Sequence, residues 1–141
     1  MKLKEKVAIV TGGSRGIGFA TVKKFLEEGA TVVLTASRKE TAEKAVTRVK
    51  ESCPDAKVEG IWPDLSSLES VKESFAKIHE KYGRIDILVN NAGMSDSAPF
   101  TNYTEDLFEK VMDLNVKGVF HASRAVVDYM VEQGSGVILS T

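Results

Sequence analysis

Residues 7–18 read VAIVTGGSRGIG, and this stretch decides the fold. A short apolar run rich in β-branched residues ends at Thr11, and glycines then occupy positions 12, 13, 16 and 18 ahead of an amphipathic segment. This order is typical of a buried strand, a turn too tight for large side chains, and the start of a helix. The first backbone N–H groups of a helix have no intrahelical partner and lie at the positive end of the helix dipole. The turn therefore predicts a phosphate-binding site, and a glycine-rich turn that binds no ligand is the alternative.

The bulk properties limit the class of protein. The chain has 141 residues with 19 Lys+Arg and 20 Asp+Glu, and its pI is about 6.1. This length fits one domain over residues 1–141, and the charge balance gives no basic surface for nucleic acid or an anionic membrane. The apolar run before Thr11 is too short for a signal peptide or a membrane span. We expect a soluble cytoplasmic protein that binds neither nucleic acid nor a membrane.

The metal-ligating residue types are sparse. Cys53 is the only cysteine, so an internal disulfide and a cysteine-based metal site are both excluded. The two histidines, His79 and His121, fall in predicted helices without a second histidine or a cysteine at ligand spacing. We interpret both as ordinary helix residues and expect no metal site.

Short apolar runs alternate with helical patterns along the whole chain. Strands are predicted at residues 7–11, 31–36, 57–62, 85–89 and 137–141. Helices are predicted at residues 17–28, 39–51, 68–82 and 105–133, the last as a short helix running into a long one. Ser66 or Ser67 and Thr104 are the expected N-caps, and Gly29 and Gly83 the expected helix ends. Residues 94–104 are predicted to form a polar loop.

Strands that alternate with helices in this way indicate right-handed βαβ units and a parallel sheet covered on both faces. The fold class is therefore α/β, a Rossmann-type doubly wound sheet with five strands in the order 3-2-1-4-5, and the chain is expected to end within strand 5. Ligands of such sheets bind beyond the carboxyl ends of the strands. Four segments follow predicted strand ends and should converge there: residues 11–18, 36–38, 64 and 90–93.

Four motifs taken together resemble the short-chain dehydrogenase/reductase family. They are TGGSRGIG at residues 11–18, Asp64-Leu65, NNAG at residues 90–93, and Asn115 within Asn-Val-Lys-Gly. The resemblance covers the whole chain in order, and it is greatest to the hydroxysteroid dehydrogenase and 3-oxoacyl-carrier-protein reductase branches. It implies an NAD(P)-dependent oxidoreductase that interconverts a secondary alcohol and a ketone on a small-molecule substrate, in a homo-oligomer.

The resemblance also implies roles for single residues. The glycine turn is implied to hold the pyrophosphate and adenosine ribose through Gly12, Ser14, Arg15, Gly16, Ile17 and Gly18. The Asp64 carboxylate and the Leu65 N–H are implied to contact the adenine. Asn91, Ala92 and Gly93 are implied to line the ribose and nicotinamide side. Asn115 is implied to bend its helix and to hold a water of the proton relay.

Each of these residues has a plainer interpretation. Asp64 is also a common turn residue, and Asn90 and Asn91 could bond local backbone at the end of a strand, Asn90 above all. Asn115 could face solvent, although asparagine is a poor helix former.

Charge favours one form of the cofactor. NAD-binding sites place a carboxylate after strand 2 for the ribose 2′-OH, whereas a 2′-phosphate needs cations there. Strand 2 is followed by Ser37 and Arg38, with no carboxylate before Glu40, and Arg15 precedes Gly16. We expect both arginines to favour NADP(H), with NAD(H) and two solvated surface arginines as the alternative.

The acid/base pair of the family is missing. Its chemistry needs a Tyr-x-x-x-Lys pair, in which the lysine lowers the pKa of the tyrosine. The residues four positions after the three tyrosines are Asp86, Leu107 and Gln133. Ser140 lies too close to Gly136 to be the family's serine. The chain is therefore expected to hold the cofactor-binding half of an oxidoreductase and to be inactive alone, with a noncatalytic nucleotide-binding module as the alternative. Residues 94–100 are the expected substrate contacts.

Overall fold

The computed structural model describes residues 1–93 and 100–141. Five parallel strands form one sheet in the order β3-β2-β1-β4-β5. The strands are β1 (Val7–Val10), β2 (Thr31–Thr35), β3 (Val58–Ile61), β4 (Ile87–Asn90) and β5 (Val137–Ser140). The predicted fold class and strand order are confirmed. Chain order reverses direction at β1, so the loops after β1 and β4 lie beside each other at the carboxyl edge.

The sheet has helices on both faces. They are α1 (Gly16–Glu27), α2 (Lys39–Ser52), α3 (Leu68–Tyr82), α4 (Glu105–Met112) and α5 (Gly118–Gln133). Ala8 and Val10 of β1 pack in one core cluster with α1 and α2, whereas Val7 and Ile9 pack in a second cluster with α3 and α5. Because successive side chains of a strand point to opposite faces, one apolar run supplies both cores.

The predicted helix ends are confirmed at two N-caps that carry a hydroxyl group and at one C-terminal glycine. The Ser67 hydroxyl accepts a hydrogen bond from the Ser70 N–H at 3.2 Å, and the Thr104 hydroxyl accepts one from the Leu107 N–H at 3.1 Å. Gly83 ends α3 with a φ of +78°. These are the N-cap and C-cap positions at which such residues stabilise a helix.

The predicted start of the fourth strand is wrong. The sequence predicts that Ile85 opens this strand, but its N–H donates to Gln133 Oε1 at 3.0 Å and its carbonyl accepts from Gln133 Nε2 at 2.9 Å. A side chain thus binds both backbone groups, and the strand begins at Ile87.

The predicted short helix running into a long one over residues 105–133 is confirmed as α4 and α5. A π-helical turn at Asp113–Lys117, which contains Asn115, joins the two helices.

β5 lies at the edge of the sheet. It pairs with β4 on one side, no strand in residues 1–93 or 100–141 pairs with its other side, and all four of its residues are exposed. Unpaired strand edges are prone to association.

Candidate functional site

The glycine turn ties β1 to its two neighbours. The Gly12 N–H donates to the Thr35 hydroxyl at 3.2 Å, and the Gly13 N–H donates to the Thr35 carbonyl at 3.0 Å. Gly12 has a φ of +65°, and a Cβ there would lie 2.8 Å from the Ala92 Cα. Only glycine combines this backbone conformation with so close an approach to the loop after β4.

The buried hydroxyl of Thr11 joins the loops after β1 and β4. It accepts hydrogen bonds from the N–H groups of Asn91 and Ala92, both at 3.0 Å, and donates to the Val89 carbonyl at 3.4 Å. The Asn91 side chain donates in turn to the Gly12 carbonyl at 3.2 Å. The sequence pattern places Thr11 at the end of a strand and at the start of the TGGSRGIG motif, but it does not predict this contact with the loop after β4. A hydroxyl residue that ends an apolar strand is the signal that could have revealed it.

The start of α1 is open. A Cβ at Gly18 would lie 2.3 Å from the Gly12 carbonyl oxygen, so the first helical turn packs directly on the glycine turn. At Gly16, with a φ of +58°, a Cβ would meet no atom of the described residues within 4 Å. Arg15 is the N-cap residue, and its side chain makes no capping hydrogen bond. Within the described part of the chain, the first N–H groups of α1 thus have no cap from the Arg15 side chain and there is room beside Gly16, an arrangement that can bind an anion.

Cationic side chains flank this opening. Arg15 and Arg38 are exposed, and neither side chain takes part in an ion pair or hydrogen bond within the described part of the chain. Arg38 immediately precedes α2, and Ser37 beside it is also exposed. Ile17 is 71% exposed at the start of α1, and Ser14 is half-buried. All five residues remain accessible to a ligand at the carboxyl edge.

Asp64 is oriented by its own turn. Its Oδ1 accepts hydrogen bonds from the Ser66 hydroxyl at 2.6 Å and the Ser66 N–H at 3.0 Å. These bonds, the hydroxyl first, lower the pKa of Asp64, so the exposed carboxyl is charged at neutral pH. The plainer interpretation of Asp64 as a turn residue is thus partly correct. The other carboxylate oxygen of Asp64, Oδ2, accepts no hydrogen bond from the described residues.

Leu65 contacts α5 through its backbone. Its carbonyl oxygen lies 2.7 Å from His121 Nδ1. Sequence reasoning treated His121 as an ordinary helix residue, and no local pattern pairs it with a residue 56 positions earlier.

An open cleft of about 370 Å³ follows β4. It is lined by Asn90, Asn91, Ala92, Gly93, Asn115, Val119 and Thr141. A Cβ at Gly93 would lie 3.0 Å from Asn115 Oδ1, so the π-helical turn faces this loop. The interpretation of Asn90 as a residue that bonds local backbone is not what the structure has, because its amide donates to the Ser123 hydroxyl of α5 at 3.2 Å.

The predicted site residues thus fall into three groups at one edge of the sheet. Gly12 contacts Gly18, Asn91 and Ala92; Gly93 approaches Asn115; and Leu65, next to Asp64, contacts α5. Residues 94–99, expected to contact a substrate, lie outside the described residues. The described residues hold no group of three or more His, Cys, Asp or Glu that could bind a metal ion. Within the same residues, no helix has the length and apolarity required to cross a membrane.

Comparison with known families and curated proteins gives one consistent match. The family model described as short chain dehydrogenase matches residues 6–141. A 3alpha-hydroxysteroid dehydrogenase of Mediterraneibacter gnavus is 53% identical over 141 residues, which are 100% of this chain and 56% of that protein. The 3-oxoacyl-(acyl-carrier-protein) reductase FabG of Thermotoga maritima is 39% identical over 140 residues, 99% of this chain and 56% of that protein. The chain thus spans a little over half the length of these relatives.

Solved structures agree in fold. A NAD⁺-bound xylitol dehydrogenase superposes with a TM-score of 0.91 at 35% identity, covering 99% of this chain and 54% of that one. A metagenomic short-chain oxidoreductase in complex with NADP gives a TM-score of 0.90 at 30% identity, covering 99% and 63%. These similar structures therefore include one bound to each form of the nicotinamide dinucleotide.

Proposed function

This chain belongs to the short-chain dehydrogenase/reductase family, and from that premise we propose that residues 1–141 form the dinucleotide-binding domain of an NADP(H)-dependent oxidoreductase. The proposed reaction interconverts a secondary alcohol and a ketone on a small molecule. The names of the two curated relatives support this class, since a hydroxysteroid and a 3-oxoacyl group both carry the reacting oxygen on a secondary carbon. A hydroxysteroid is the first substrate to test because that relative is 53% identical.

The observation that carries the proposal is the open start of α1. The N-cap side chain of Arg15 does not cap its first N–H groups, no atom of the described residues lies within 4 Å of a Cβ placed at Gly16, and Gly18 allows the helix to begin directly on the glycine turn. A pyrophosphate fits this site because backbone donors and the helix dipole both favour a negative charge there. In this proposal Gly12, Ser14, Gly16, Ile17 and Gly18 hold the pyrophosphate and the adenosine ribose.

The remaining contacts follow the edge of the sheet. Asp64 and Leu65 bind the adenine through the free carboxylate oxygen and the N–H, and Asn91, Ala92 and Gly93 line the ribose and the nicotinamide. The bound dinucleotide supplies or accepts a hydride at its nicotinamide. Asn115 is proposed to hold a water through which a proton leaves or reaches the site. Its position in the π-helical turn beside Gly93 supports this role, since such turns are frequent at functional sites.

No tyrosine in this chain is followed four positions later by lysine. We therefore propose that the 141 residues bind the cofactor and do not turn over substrate by themselves.

Association with a second copy of the chain is supported by exposed apolar side chains on and between α4 and α5. These are Phe108, Val116, Phe120 and Val131.

The preference for NADP(H) rests on Arg15 and Arg38. Both are exposed and neither is engaged by a carboxylate among the described residues, so both guanidiniums are available to a 2′-phosphate. Arg38→Ala should weaken NADPH binding about tenfold, the worth of one charge-assisted hydrogen bond, and leave NADH binding unchanged. Titration of the complete gene product with each cofactor measures both constants.

Lys50→Ala is the matched control, because it removes one positive charge from the far end of α2, about three helical turns from Arg38. It should change neither constant. Equal NADPH and NADH affinities in the wild type, or equal losses in the two variants, would contradict the preference for NADP(H). Binding without turnover by the complete gene product would favour the noncatalytic module.

A further inference from the structure

The segment that follows β3 is tied to α5 by one side chain. The Leu65 carbonyl oxygen and His121 Nδ1 lie 2.7 Å apart. A carbonyl can only accept a hydrogen bond, so Nδ1 carries the proton in this contact, whether the ring is neutral or charged. The contact is half-buried and joins residues 56 positions apart.

The other hydrogen bonds of this segment are local. Asp64 accepts from Ser66, its carbonyl accepts from the Ser67 N–H at 3.0 Å, and its own N–H donates to the Ser70 hydroxyl at 3.0 Å. These bonds shape the turn and join it to α3. In residues 1–93 and 100–141, the hydrogen bond from His121 is the one that reaches the turn from α5. It therefore adds a directional contact to the packing of Leu65 against the core and contributes to the position of the turn at the carboxyl edge.

The same helix also approaches the other end of the candidate site. A Cβ at Gly118 would lie 3.6 Å from the Leu65 Cβ, so the first turn of α5 packs closely on Leu65. The π-helical turn just before Gly118 places Asn115 beside Gly93. The two consecutive elements thus contact both parts of the candidate site. α5 binds the segment after β3 through His121, and the π-helical turn before it approaches the loop after β4 through Asn115.

We propose that His121 is a positioning residue for the adenosine half of the cofactor. By holding the Leu65 carbonyl, it fixes the Asp64 carboxylate and the Leu65 N–H in the place where they meet the adenine. Loss of this hydrogen bond lets the turn move as a unit, because its internal bonds stay intact. The inference rests on the proposed function and adds to it a residue that touches no part of the cofactor.

Three substitutions at His121 in the complete gene product separate the effect of the hydrogen bond to Leu65 from the effect of side-chain size. His121→Leu removes the donor, and His121→Asn keeps an N–H near the position of Nδ1. His121→Gln moves the N–H one bond further from the backbone. Binding constants are measured for NADPH, for ADP-ribose, which lacks the nicotinamide, and for nicotinamide mononucleotide, which lacks the adenosine.

The expected result is a loss confined to the adenosine half. His121→Leu should weaken NADPH and ADP-ribose about fivefold to tenfold, in line with the loss of one partly buried hydrogen bond, and leave nicotinamide mononucleotide unchanged. His121→Asn should bind like the wild type, and His121→Gln should bind more weakly than His121→Asn. His79→Leu is the control, because His79 stacks on Tyr129 at 4.0 Å, outside the candidate site, and should leave all three constants unchanged.

Three results would overturn the inference. They are unchanged ADP-ribose affinity in His121→Leu, an equal loss for the mononucleotide, and equal affinities of the Asn and Gln variants. The comparison of His121→Asn with His121→Gln tests the inference even if His121→Leu does not fold. A wild type that binds neither NADPH nor ADP-ribose would reject the proposed function and this inference with it, whereas normal wild-type binding with unaffected variants rejects the inference alone.

Discussion

Gly16 and Gly134 share a left-handed backbone conformation at opposite edges of the sheet. Their φ values are +58° and +76°, and a Cβ at either position would meet no atom of residues 1–93 or 100–141 within 4 Å. Gly134 follows α5 and precedes β5, so it lies at the amino edge, whereas Gly16 lies at the open start of α1. The conformational cost of a side chain is thus similar at both residues, and only Gly16 lies where a pyrophosphate is proposed to bind.

Alanine at these two glycines separates stability from binding. Each substitution should lower the free energy of unfolding by about 1 kcal/mol, the cost of a Cβ in the left-handed region. Gly16→Ala should also weaken NADPH binding by about tenfold or more, because its methyl group enters the space of the ligand. Chemical unfolding and cofactor titration measure the two effects. Equal cofactor affinities in Gly16→Ala and Gly134→Ala would place the ligand elsewhere.

At the residue scale, local chemistry was predictable and distant pairing was not. The glycine turn between β1 and α1 depends on backbone geometry that spans a few residues, so the pattern alone predicted it. The close approach of Gly12 to Ala92 was not predictable in this way. Thr11 bonds to Asn91, 80 positions later, and His121 bonds to Leu65, 56 positions earlier. No spacing in one sequence indicates such pairs, because they arise only when the strands are assembled.

At the element scale, an ion pair fixes the starts of β1 and β4. Asp86, only 4% exposed, accepts two hydrogen bonds from Arg84, both at 2.7 Å, and one from the Val7 N–H at 2.9 Å. Burial raises the pKa of Asp86, but the bonds from Arg84 and Val7 lower it by more, so the pKa lies below its usual value. This cluster lies at the amino edge of the sheet, away from the proposed cofactor site.

The lowered pKa makes stability depend on pH in one direction. The charged carboxylate stabilises the folded chain fully above the unfolded pKa of about 3.9, and this contribution is lost as pH falls through the lower folded value. Asp86→Asn should lower the free energy of unfolding by about 1–3 kcal/mol at neutral pH and flatten its decline below about pH 4. Urea unfolding across this pH range measures both effects.

Asp128→Asn provides the comparison for Asp86. Asp128 pairs with Arg124 at 3.0 Å on the exposed side of α5, and surface pairs of this kind contribute little. It should change stability by less than about 0.5 kcal/mol. If Asp86→Asn behaved like Asp128→Asn, the amino-edge ion pair would not be a stabilising contact.

The strand boundary that the sequence pattern predicted wrongly has a physical cause. Ile85 has a strand-like sequence, but the Gln133 amide satisfies its backbone. A contact between elements overrides the local pattern there. The pattern over residues 105–133 predicted the two helices but not the π-helical turn between them, which adds one residue to the helical repeat.

At the scale of the whole molecule, the two edges of the sheet carry different groups of residues. The carboxyl edge gathers the glycine turn, the Asp64 turn and the loop after β4, whereas the amino edge holds the Arg84–Asp86–Val7 cluster. The alternation of strands and helices was sufficient to predict that the loops after the strands converge on the carboxyl edge, because successive strands of βαβ units run parallel. The cluster at the amino edge was not predicted. The choice between NADP(H) and NAD(H) depends on where two exposed arginines lie around a ligand, and no sequence pattern determines that.

Hydrogen–deuterium exchange of the complete gene product, with and without millimolar NADPH, tests the central claim most directly. Bound cofactor should slow exchange over residues 11–19, 64–67 and 90–93, because backbone amides at the start of α1 become donors to the pyrophosphate and the neighbouring loops are covered. Residues 84–86 at the amino edge should exchange at the same rate in both samples. Unchanged exchange over residues 11–19, or protection confined to other parts of the chain, would contradict a dinucleotide site at the glycine turn.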